Sequence, residues 1–336
     1  MKAAASLWAW CMLVGLFACT TDSPVLPATV ATTGVFQAAQ ALPQENTDTP
    51  EEGVSEFIIN GQAINESSGL ARSIRKPGMY WTHNDSGGNT AVYALSSQGG
   101  HVATFHLQGL GVTNLDWEDM TSAVLDGQPV LLVADVGDNN ALRPFVTVYQ
   151  MPEPEFEVAR YGIVSDVVNV TAVYQLVFPD ARPRDVESIA VDSATRTAYL
   201  ISKREAQPRL FSFELNAKPL NSTVPVPGVL KDLGPINIPR APAGFEGNPN
   251  SFNWVTTMDI SADGRSVYVG TLMNGYVYAR QASETIQQAL SRSPKALRLP
   301  DYSQIEAGAF TSDARAVVIT SENVPARMAR IPVPRP

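Results

Sequence analysis

Five short segments of this chain resemble one another, and this recurrence constrains the fold more than any other feature of the sequence. They are SSGLARS (67–73), WEDMTSAV (117–124), VESIAVD (186–192), VTTMDIS (255–261) and IEAGAFTSD (305–313). Each has a polar residue in its second place, namely Ser68, Glu118, Glu187, Thr256 and Glu306. Self-similarity of this kind is typical of repeat architectures, in which each unit packs against its neighbours.

Each segment is followed by a tight turn, two further apolar runs and a weaker fourth run. A four-stranded antiparallel unit repeated about an axis is a β-propeller. We therefore predict an all-β protein with five four-stranded blades; a sixth blade would have to lie in one of the long intervals, 125–186 or 193–255. A β-sandwich is the alternative. The run EFIINGQAI (56–64) is predicted to supply the outer strand of the last blade and so close the ring.

The first residues indicate an exported protein. An apolar run, 3–18, follows a single lysine and is short for a membrane span. Leu16-Phe17-Ala18-Cys19 resembles a bacterial lipoprotein signal, with Cys19 as the lipidated residue; an ordinary cleaved secretory signal is the alternative. Residue Thr20 would, by the same resemblance, favour the outer membrane. We predict a signal peptide (1–19), a flexible tether (20–53) and a propeller domain (54–336), lipid-anchored in the cell envelope and facing the periplasm or exterior.

Composition limits the chemistry of the folded domain. The formal net charge of −9 argues against nucleic acid as a partner and permits a cation site. The two cysteines, Cys11 and Cys19, both precede the domain, so no disulfide or cysteine nucleophile is available to it. The sequence also lacks a glycine-rich phosphate loop, an HExxH helix and a GxSxG turn.

Antiparallel pairing places the start of each first strand and the end of each second strand on one face of the disc. The loops THND (82–85), ADVGDN (134–139), SKRE (202–205) and TSEN (320–323) should therefore meet the three glutamates at the mouth of the central channel. Calcium binds carboxylate, amide and carbonyl oxygens. We predict a Ca²⁺ site among Glu118, Asp119, Asp135, Asp138, Glu187 and Glu306. The alternative is that these Asp and Asn side chains cap turns by bonding their own backbone.

Other residues of the same loops are candidates for ligand binding or catalysis. Predicted ligand-binding residues are Asn84, Asn139, Glu205, Glu322 and Asn323. Predicted catalytic residues are His83, Asp85, Lys203 and Arg204. His83 could be a general base, a ligand or a structural residue. Lys203 and Arg204 could hold an anionic substrate or form salt bridges with neighbouring glutamates. The proline-rich insertion 238–254 could form a wall or lid over the mouth.

A set of motifs resembles bacterial exported β-propellers, most of undefined function. They are SGL (68–70), HNDSG (83–87), DWED (116–119), GDxGDN with Ala134 in place of the first glycine (134–139), and VES (186–188). A looser similarity to calcium-dependent β-propeller phytases implies that Glu118, Asp119, Asp135, Asp138, Glu187 and Glu306 bind metal and that Lys203 and Arg204 face phosphate. Those phytases have six blades, and here Ser68 and Thr256 replace glutamate in the first and fourth repeats.

Three functions are consistent with these observations. The first is an envelope-anchored propeller whose Ca²⁺-binding rim recognises an anionic small molecule or an envelope protein without catalysis. The second is a Ca²⁺-dependent phosphoesterase, in which the metal polarises the phosphoryl oxygen and activates water. The third is a metal-dependent sugar-lactone hydrolase or lyase, with His83 or Asp85 as the acid–base group.

Overall fold

The computed structural model describes residues 53–215, 224–322 and 324–334. The predicted signal peptide with Cys19, nearly all of the tether, and Asn323 lie outside the described residues. Two short helices occur in the described part, a 3-10 turn (Pro249–Phe252) and α1 (Ile286–Leu290); the other regular elements are β-strands. No helix in this part of the chain is long and apolar enough to cross a membrane.

The strands form five sheets. The first two have five strands each: blade 1 consists of β2 (Ser67–Arg72), β3 (Met79–Asn84), β4 (Ala91–Ser96), β5 (His101–Gln108) and β9 (Val164–Asn169), and blade 2 of β6 (Trp117–Leu125), β7 (Gln128–Asp135), β8 (Val146–Pro152), β10 (Ala172–Val177) and β14 (Val226–Val229).

The other three sheets have four strands each. Blade 3 consists of β11 (Val186–Asp192), β12 (Thr197–Ser202), β13 (Arg209–Glu214) and β15 (Lys231–Pro235), and blade 4 of β16 (Val255–Ile260), β17 (Ser266–Thr271), β18 (Gly275–Ala279) and β19 (Lys295–Leu297). Blade 5 consists of β20 (Ile305–Phe310), β21 (Ala316–Ser321), β22 (Arg327–Pro332) and β1 (Ser55–Ile58).

The innermost strands β2, β6, β11, β16 and β20 contact one another in that order, and β20 contacts β2. The ring therefore has five blades, as predicted. It is closed by β1, which pairs antiparallel with β22 and places Ser55 opposite Arg330. The inner strands are buried along nearly their whole length because both faces pack against neighbouring blades. This explains why they contain small and apolar residues rather than an alternating pattern.

Two outer strands were not predicted. β9 pairs in parallel with β5, and β14 pairs in parallel with β10. In the sequence, β9 lies between β8 and β10 of blade 2, and β14 lies between β13 and β15 of blade 3. Blades 1 and 2 therefore each receive a fifth strand from the next repeat. The long intervals 125–186 and 193–255, in which a sixth blade remained possible, contain these strands instead of an additional blade.

The polar second place of each repeat coincides with a β-bulge. In every blade the first residue of the inner strand pairs with the last residue of the second strand, and the register then shifts by one residue. The shift lies at Ser68, Glu118, Glu187, Thr256 and Glu306. A bulge inserts an unpaired residue and redirects its side chain. In blades 1 and 4 the hydroxyls of Ser68 and Thr256 donate to backbone carbonyls of the next blade at 2.9 and 2.7 Å, whereas blades 2, 3 and 5 carry glutamates.

Polar bridges cross the channel between these inner strands. The Asp119 carboxylate accepts hydrogen bonds from the backbone N–H groups of Met120 (2.8 Å), Ile189 (3.0 Å) and Met258 (3.2 Å). Arg72 forms a buried ion pair with Asp259 at 3.0 Å. Because these contacts join strands of different blades, they tie the ring together from within.

Candidate functional site

Three carboxylates meet at the mouth of the channel. Asp85 follows β3, Asp116 precedes β6 and Glu118 is the bulge residue of blade 2; one oxygen from each lies within 4.8 Å of the others. The Asn114 side chain brings the two loops together, because its amide nitrogen donates to the Asp85 carbonyl at 2.8 Å. We call Asp85, Asp116 and Glu118 the carboxylate cluster.

Glu118 is the most unusual member of the carboxylate cluster. The residue is 7% exposed, and among the described residues no group donates a hydrogen bond to its carboxylate. Burial raises its pKa well above the ordinary value, and the charges of Glu187, Asp85 and Asp116 raise it further. A buried carboxylate beside like charges and without a donor is costly, and a bound cation would remove that cost.

Gly137 forms one wall of the carboxylate cluster. A Cβ atom on this residue would lie 2.5 Å from the Asp116 Oδ2 atom and closer still to the Glu118 Oε1 atom. Any other residue would therefore fill the space between these oxygens. The Gly137 backbone N–H also donates to the Asp116 carbonyl at 3.2 Å, which fixes the two loops against each other.

The carboxylate cluster fits a hard divalent cation. It offers carboxylate oxygens and no nitrogen or sulfur ligand, which is the donor chemistry that calcium prefers. Burial raises the pKa of Asp116 to about 6, and the neighbouring charge of Asp85 adds to this effect. Burial also raises the pKa of Asp85. Both carboxylates are therefore costly to ionise at this position, mainly because they are buried, and a bound cation would reduce that cost.

Of the six predicted metal ligands, the carboxylate cluster contains only Glu118. Asp135 accepts hydrogen bonds from the backbone N–H groups of Leu115 and Asp116, each at 3.2 Å, and pairs with Arg143 at 2.8 Å. Asp138 accepts from the backbone N–H groups of Leu142 (2.9 Å) and Arg143 (2.7 Å). Asp138 therefore matches the turn-capping alternative, whereas Asp135 joins its own loop to the loop before β6. Asp119 lies in the channel, where backbone N–H groups surround it.

The remaining two predicted ligands, Glu187 and Glu306, lie around Lys203. The Lys203 ammonium forms an ion pair with Glu187. Burial lowers the Lys203 pKa, but the charges of Glu187, Glu306 and Glu118 outweigh this effect and leave it raised. Burial raises the pKa of Glu306 to about 7, although the charge of Lys203 lowers it.

Arg204 and its partners lie beside this group. Arg204 donates to Asp185 and to Asn139, and its guanidinium lies 4.8 Å from the ring centre of Trp254. Trp254 ends the insertion 238–254, so the insertion contacts the mouth from the side of blade 4, consistent with the predicted wall.

Three further predicted residues have defined partners. Glu205 pairs with Arg184 at 2.8 Å, and Glu322 accepts from the Gln304 amide at 2.8 Å. The Asn84 amide nitrogen donates to the Ala63 carbonyl at 2.7 Å.

His83 is fully buried rather than exposed at the mouth. Its ring packs edge-on against Trp117 with ring centres 5.4 Å apart. Burial lowers its pKa to about 4, so the imidazole is neutral at physiological pH. Its Nε2 atom has no hydrogen-bond partner in the described structure. This position suits a packing role and gives the ring no access to a ligand at the mouth.

Sequence reasoning did not select three residues of this site. Asp116 stands in the DWED motif, two places before the bulge residue Glu118. Gly137 stands in the GDN loop, where a glycine among acidic residues could have indicated a close approach of oxygens. Asn114 lies outside the motifs identified in the sequence, so nothing in the sequence singled it out.

Glu306 provides a test of these electrostatics. A carboxyl whose folded-state pKa is raised stabilises the fold fully below its unfolded pKa, and this contribution is lost as pH rises through the folded pKa. For Glu306 the loss should run from about 4.5 to about 7. We expect the melting temperature of the wild type in EDTA, minus that of Glu306→Gln, to fall over this range and to level off above it. His83 is present in both proteins, so the pH dependence that it contributes to stability cancels in this difference. A difference that rises or stays constant from pH 4.5 to 7 would contradict the assignment.

No protein-family model matches the sequence, and no curated protein is similar to it. Among solved structures, the chain is similar to the PQQ-bound aldose sugar dehydrogenase of Streptomyces coelicolor, with 9% identity, coverage of 84% of this chain and 99% of that one, and a TM-score of 0.43. It is also similar to hydrazine synthase of Kuenenia stuttgartiensis (9% identity, 78% and 70% coverage, TM-score 0.40) and to a luciferin-regenerating enzyme (10% identity, 84% and 96% coverage, TM-score 0.40). At these identities and TM-scores the similarities carry no information on ligand or reaction.

Proposed function

We propose that this β-propeller is a calcium-dependent binding module. One Ca²⁺ ion binds the carboxylate cluster of Asp85, Asp116 and Glu118, and a ligand or protein partner binds at the mouth of the channel by completing the coordination of that ion. Three carboxylates leave part of the six to eight oxygen positions of Ca²⁺ to water or to a partner. The envelope location stays a prediction from residues 1–19, and the proposal does not depend on it.

The observation that supports the proposal is the buried Glu118 carboxylate without a hydrogen-bond donor. Asp135, Asp138 and Asp185, which also lie at the mouth, have protein partners that explain their placement. Glu118 is held instead against Asp116 and Asp85, with Gly137 keeping the space open. A cation is the simplest group that makes this arrangement favourable.

The structural features favour binding over the two enzymatic alternatives. A phosphoesterase needs positive charge that can meet phosphate in the transition state. Lys203, Arg204 and Arg143 instead pair with Glu187, Asp185 and Asp135, respectively. A lactone hydrolase needs an accessible acid–base group. Of the two candidates, His83 is fully buried, and Asp85 is assigned here to the ion.

Calcium titration of the metal-free protein tests the proposal. We expect one Ca²⁺ per chain by calorimetry and elemental analysis. At a calcium concentration one hundred times the Kd, the stabilisation should be about 2.7 kcal/mol, or about 5 °C in melting temperature. Glu118→Gln should weaken Ca²⁺ binding at least about tenfold, because it removes a charged ligand from a site with three.

The matched control is Glu205→Gln, which neutralises a carboxylate at the same face that is paired with Arg184 and is not in the carboxylate cluster. This variant should bind Ca²⁺ within about twofold of the wild type. The proposal fails if the wild type binds no Ca²⁺, or if the two variants lose affinity equally.

A further inference from the structure

A buried histidine ring contacts both segments of the chain that carry the carboxylate cluster. His83 stands two places before Asp85, and its Nδ1 atom lies 3.1 Å from the Asn84 carbonyl oxygen. The same ring packs edge-on against Trp117, which directly precedes Glu118, with ring centres 5.4 Å apart. His83 therefore joins the end of β3 to the start of β6, beneath the carboxylates that these two strands present.

The contact with Asn84 determines which nitrogen of the His83 ring carries the proton. A carbonyl oxygen can only accept a hydrogen bond, so the Nδ1 atom donates to it. The ring is neutral and has one N–H, which leaves the Nε2 atom as an acceptor, and this buried atom has no partner among the described residues. An apolar side chain would avoid the cost of that unpaired atom. The Nδ1–H group is therefore the feature of the ring that calls for a functional explanation.

The Asn84 carbonyl is a junction between the two segments. It belongs to the planar peptide bond that leads into Asp85, so its direction fixes the start of the Asp85 backbone. It also lies 3.4 Å from the Asn114 amide nitrogen, which donates to the Asp85 carbonyl at 2.8 Å. The Asn114 side-chain oxygen in turn accepts from the Trp117 backbone N–H at 3.3 Å. The donor on His83 thus holds one end of a hydrogen-bonded path from Asp85 to the strand of Glu118.

The fold makes room for the His83 ring at Gly69. Gly69 lies opposite His83 in the pairing of β2 with β3. A Cβ atom on Gly69 would lie 2.4 Å from the His83 Nε2 atom and 2.7 Å from the backbone nitrogen of Met120 on β6. Any other residue at this position would therefore displace the ring from the junction of blades 1 and 2.

We propose that His83 is a positioning residue of the calcium site: its Nδ1–H holds the Asn84 carbonyl while its ring packs on Trp117, and together these contacts set the separation of the Asp85 and Glu118 carboxylates. This inference rests on the proposed function. His83 does not touch the ion and acts through the two carboxylates. Replacing a group that holds a metal ligand in place typically lowers metal affinity by about 10- to 100-fold.

Two substitutions separate the hydrogen bond from the packing. His83→Leu has a similar volume but no donor, whereas His83→Asn keeps an N–H near the Nδ1 position and fills less space. By calorimetry on the full-length protein, after removal of metal with EDTA, we expect Ca²⁺ affinity to fall about tenfold or more in His83→Leu and to stay within about threefold of the wild type in His83→Asn. The metal-free melting temperatures should have the opposite order, with His83→Leu above His83→Asn, because asparagine leaves a cavity.

His101 provides the matched control. Its ring also packs edge-on against an aromatic residue, Tyr93, with ring centres 5.5 Å apart, and one of its ring nitrogens is also buried without a partner in the described part of the chain. It begins β5, at the end of blade 1 opposite the mouth. His101→Leu should therefore bind Ca²⁺ within about twofold of the wild type.

The outcomes separate this inference from the proposed function. A wild type that binds no Ca²⁺ overturns both. Wild-type affinity in a folded His83→Leu overturns the inference alone, as does an equal loss of affinity in His83→Leu and His83→Asn or in His83→Leu and His101→Leu. If neither variant of His83 folds, nitrogen-15 NMR of the wild-type ring decides: a proton on Nδ1 supports the inference, and a proton on Nε2 overturns it.

Discussion

Replacing Asp119 with alanine is expected to lower the free energy of unfolding by about 4 kcal/mol, because it leaves two inter-blade backbone donors buried without an acceptor at about 1–3 kcal/mol each. Asp119 is fully buried on β6, and it accepts hydrogen bonds from Ile189 on β11 and Met258 on β16. The variant therefore removes a link among three blades at once. Urea unfolding followed by circular dichroism measures the change.

The asparagine variant should be milder than the alanine variant. Burial raises the Asp119 pKa well above its ordinary value, and the backbone N–H groups of Ile189, Met120 and Met258 only partly offset this effect. Asparagine keeps one oxygen acceptor and avoids burying a charge. The exposed turn residue Asp263 is the control, because it bonds only within its own hairpin, and Asp263→Ala should cost about 1 kcal/mol or less. Asp119→Ala within about 1 kcal/mol of the wild type would show that the bridge does not stabilise the ring.

The large loss of stability expected for Asp119→Ala follows from the way in which the blades of a propeller contact one another. Hydrogen-bond ladders run within each blade, and neighbouring blades meet through side-chain packing. Asp119 and Asp259 add directional bonds between blades: Asp259 accepts from the Phe310 backbone N–H at 2.8 Å and pairs with Arg72 across the channel. These acidic residues therefore hold the inner strands in register with one another.

The sequence predicted the blades well because the repeat is encoded locally. The five first strands, their hairpin partners and the closing strand all follow from runs of apolar residues and turn residues, and the structure confirms them. The convergence of the loops on one face also follows, since antiparallel pairing alone places Trp117 opposite Asp135 and Ser67 opposite Asn84. The strands β9 and β14 have no such local signal, because their parallel partners are distant in the chain.

The members of the carboxylate cluster were harder to predict, for a physical reason. Whether a carboxylate is free depends on nearby backbone N–H groups, and these are set by loop conformation. Asp135 and Asp138 look like ligands in the sequence, but Asp135 accepts hydrogen bonds from backbone N–H groups of the loop before β6, and Asp138 accepts them from its own loop. Asp119 follows Glu118 directly, yet the bulge directs the two side chains to different places, one to the channel and the other to the mouth.

Gly137→Ala is expected to reduce Ca²⁺ affinity by about 100-fold or more while the protein remains folded, because the new methyl group occupies the space between the cluster oxygens. A Cβ at this position would approach Asp116 Oδ2 to 2.5 Å, so the carboxylates could no longer converge on an ion. The substitution changes no charge and removes no ligand. It therefore separates the geometry of the carboxylate cluster from its electrostatics, which the glutamine variant of Glu118 cannot do.

Gly88→Ala is the matched control, because it adds the same methyl group beside the loop of Asp85 without entering the carboxylate cluster. Its Cβ would lie 3.3 Å from the Asp85 carbonyl oxygen and 3.5 Å from the Asn114 side chain, distances that small shifts can accommodate. Calorimetry with Ca²⁺ should give an affinity within a few-fold of the wild type for this variant, and near-ultraviolet circular dichroism should show both variants folded. If Gly137→Ala binds Ca²⁺ as tightly as Gly88→Ala, the ion does not lie between Asp116 and Glu118. If both variants lose binding equally, the loop of Asp85 is sensitive to any added group, and Gly137 has no special role as the wall of the site.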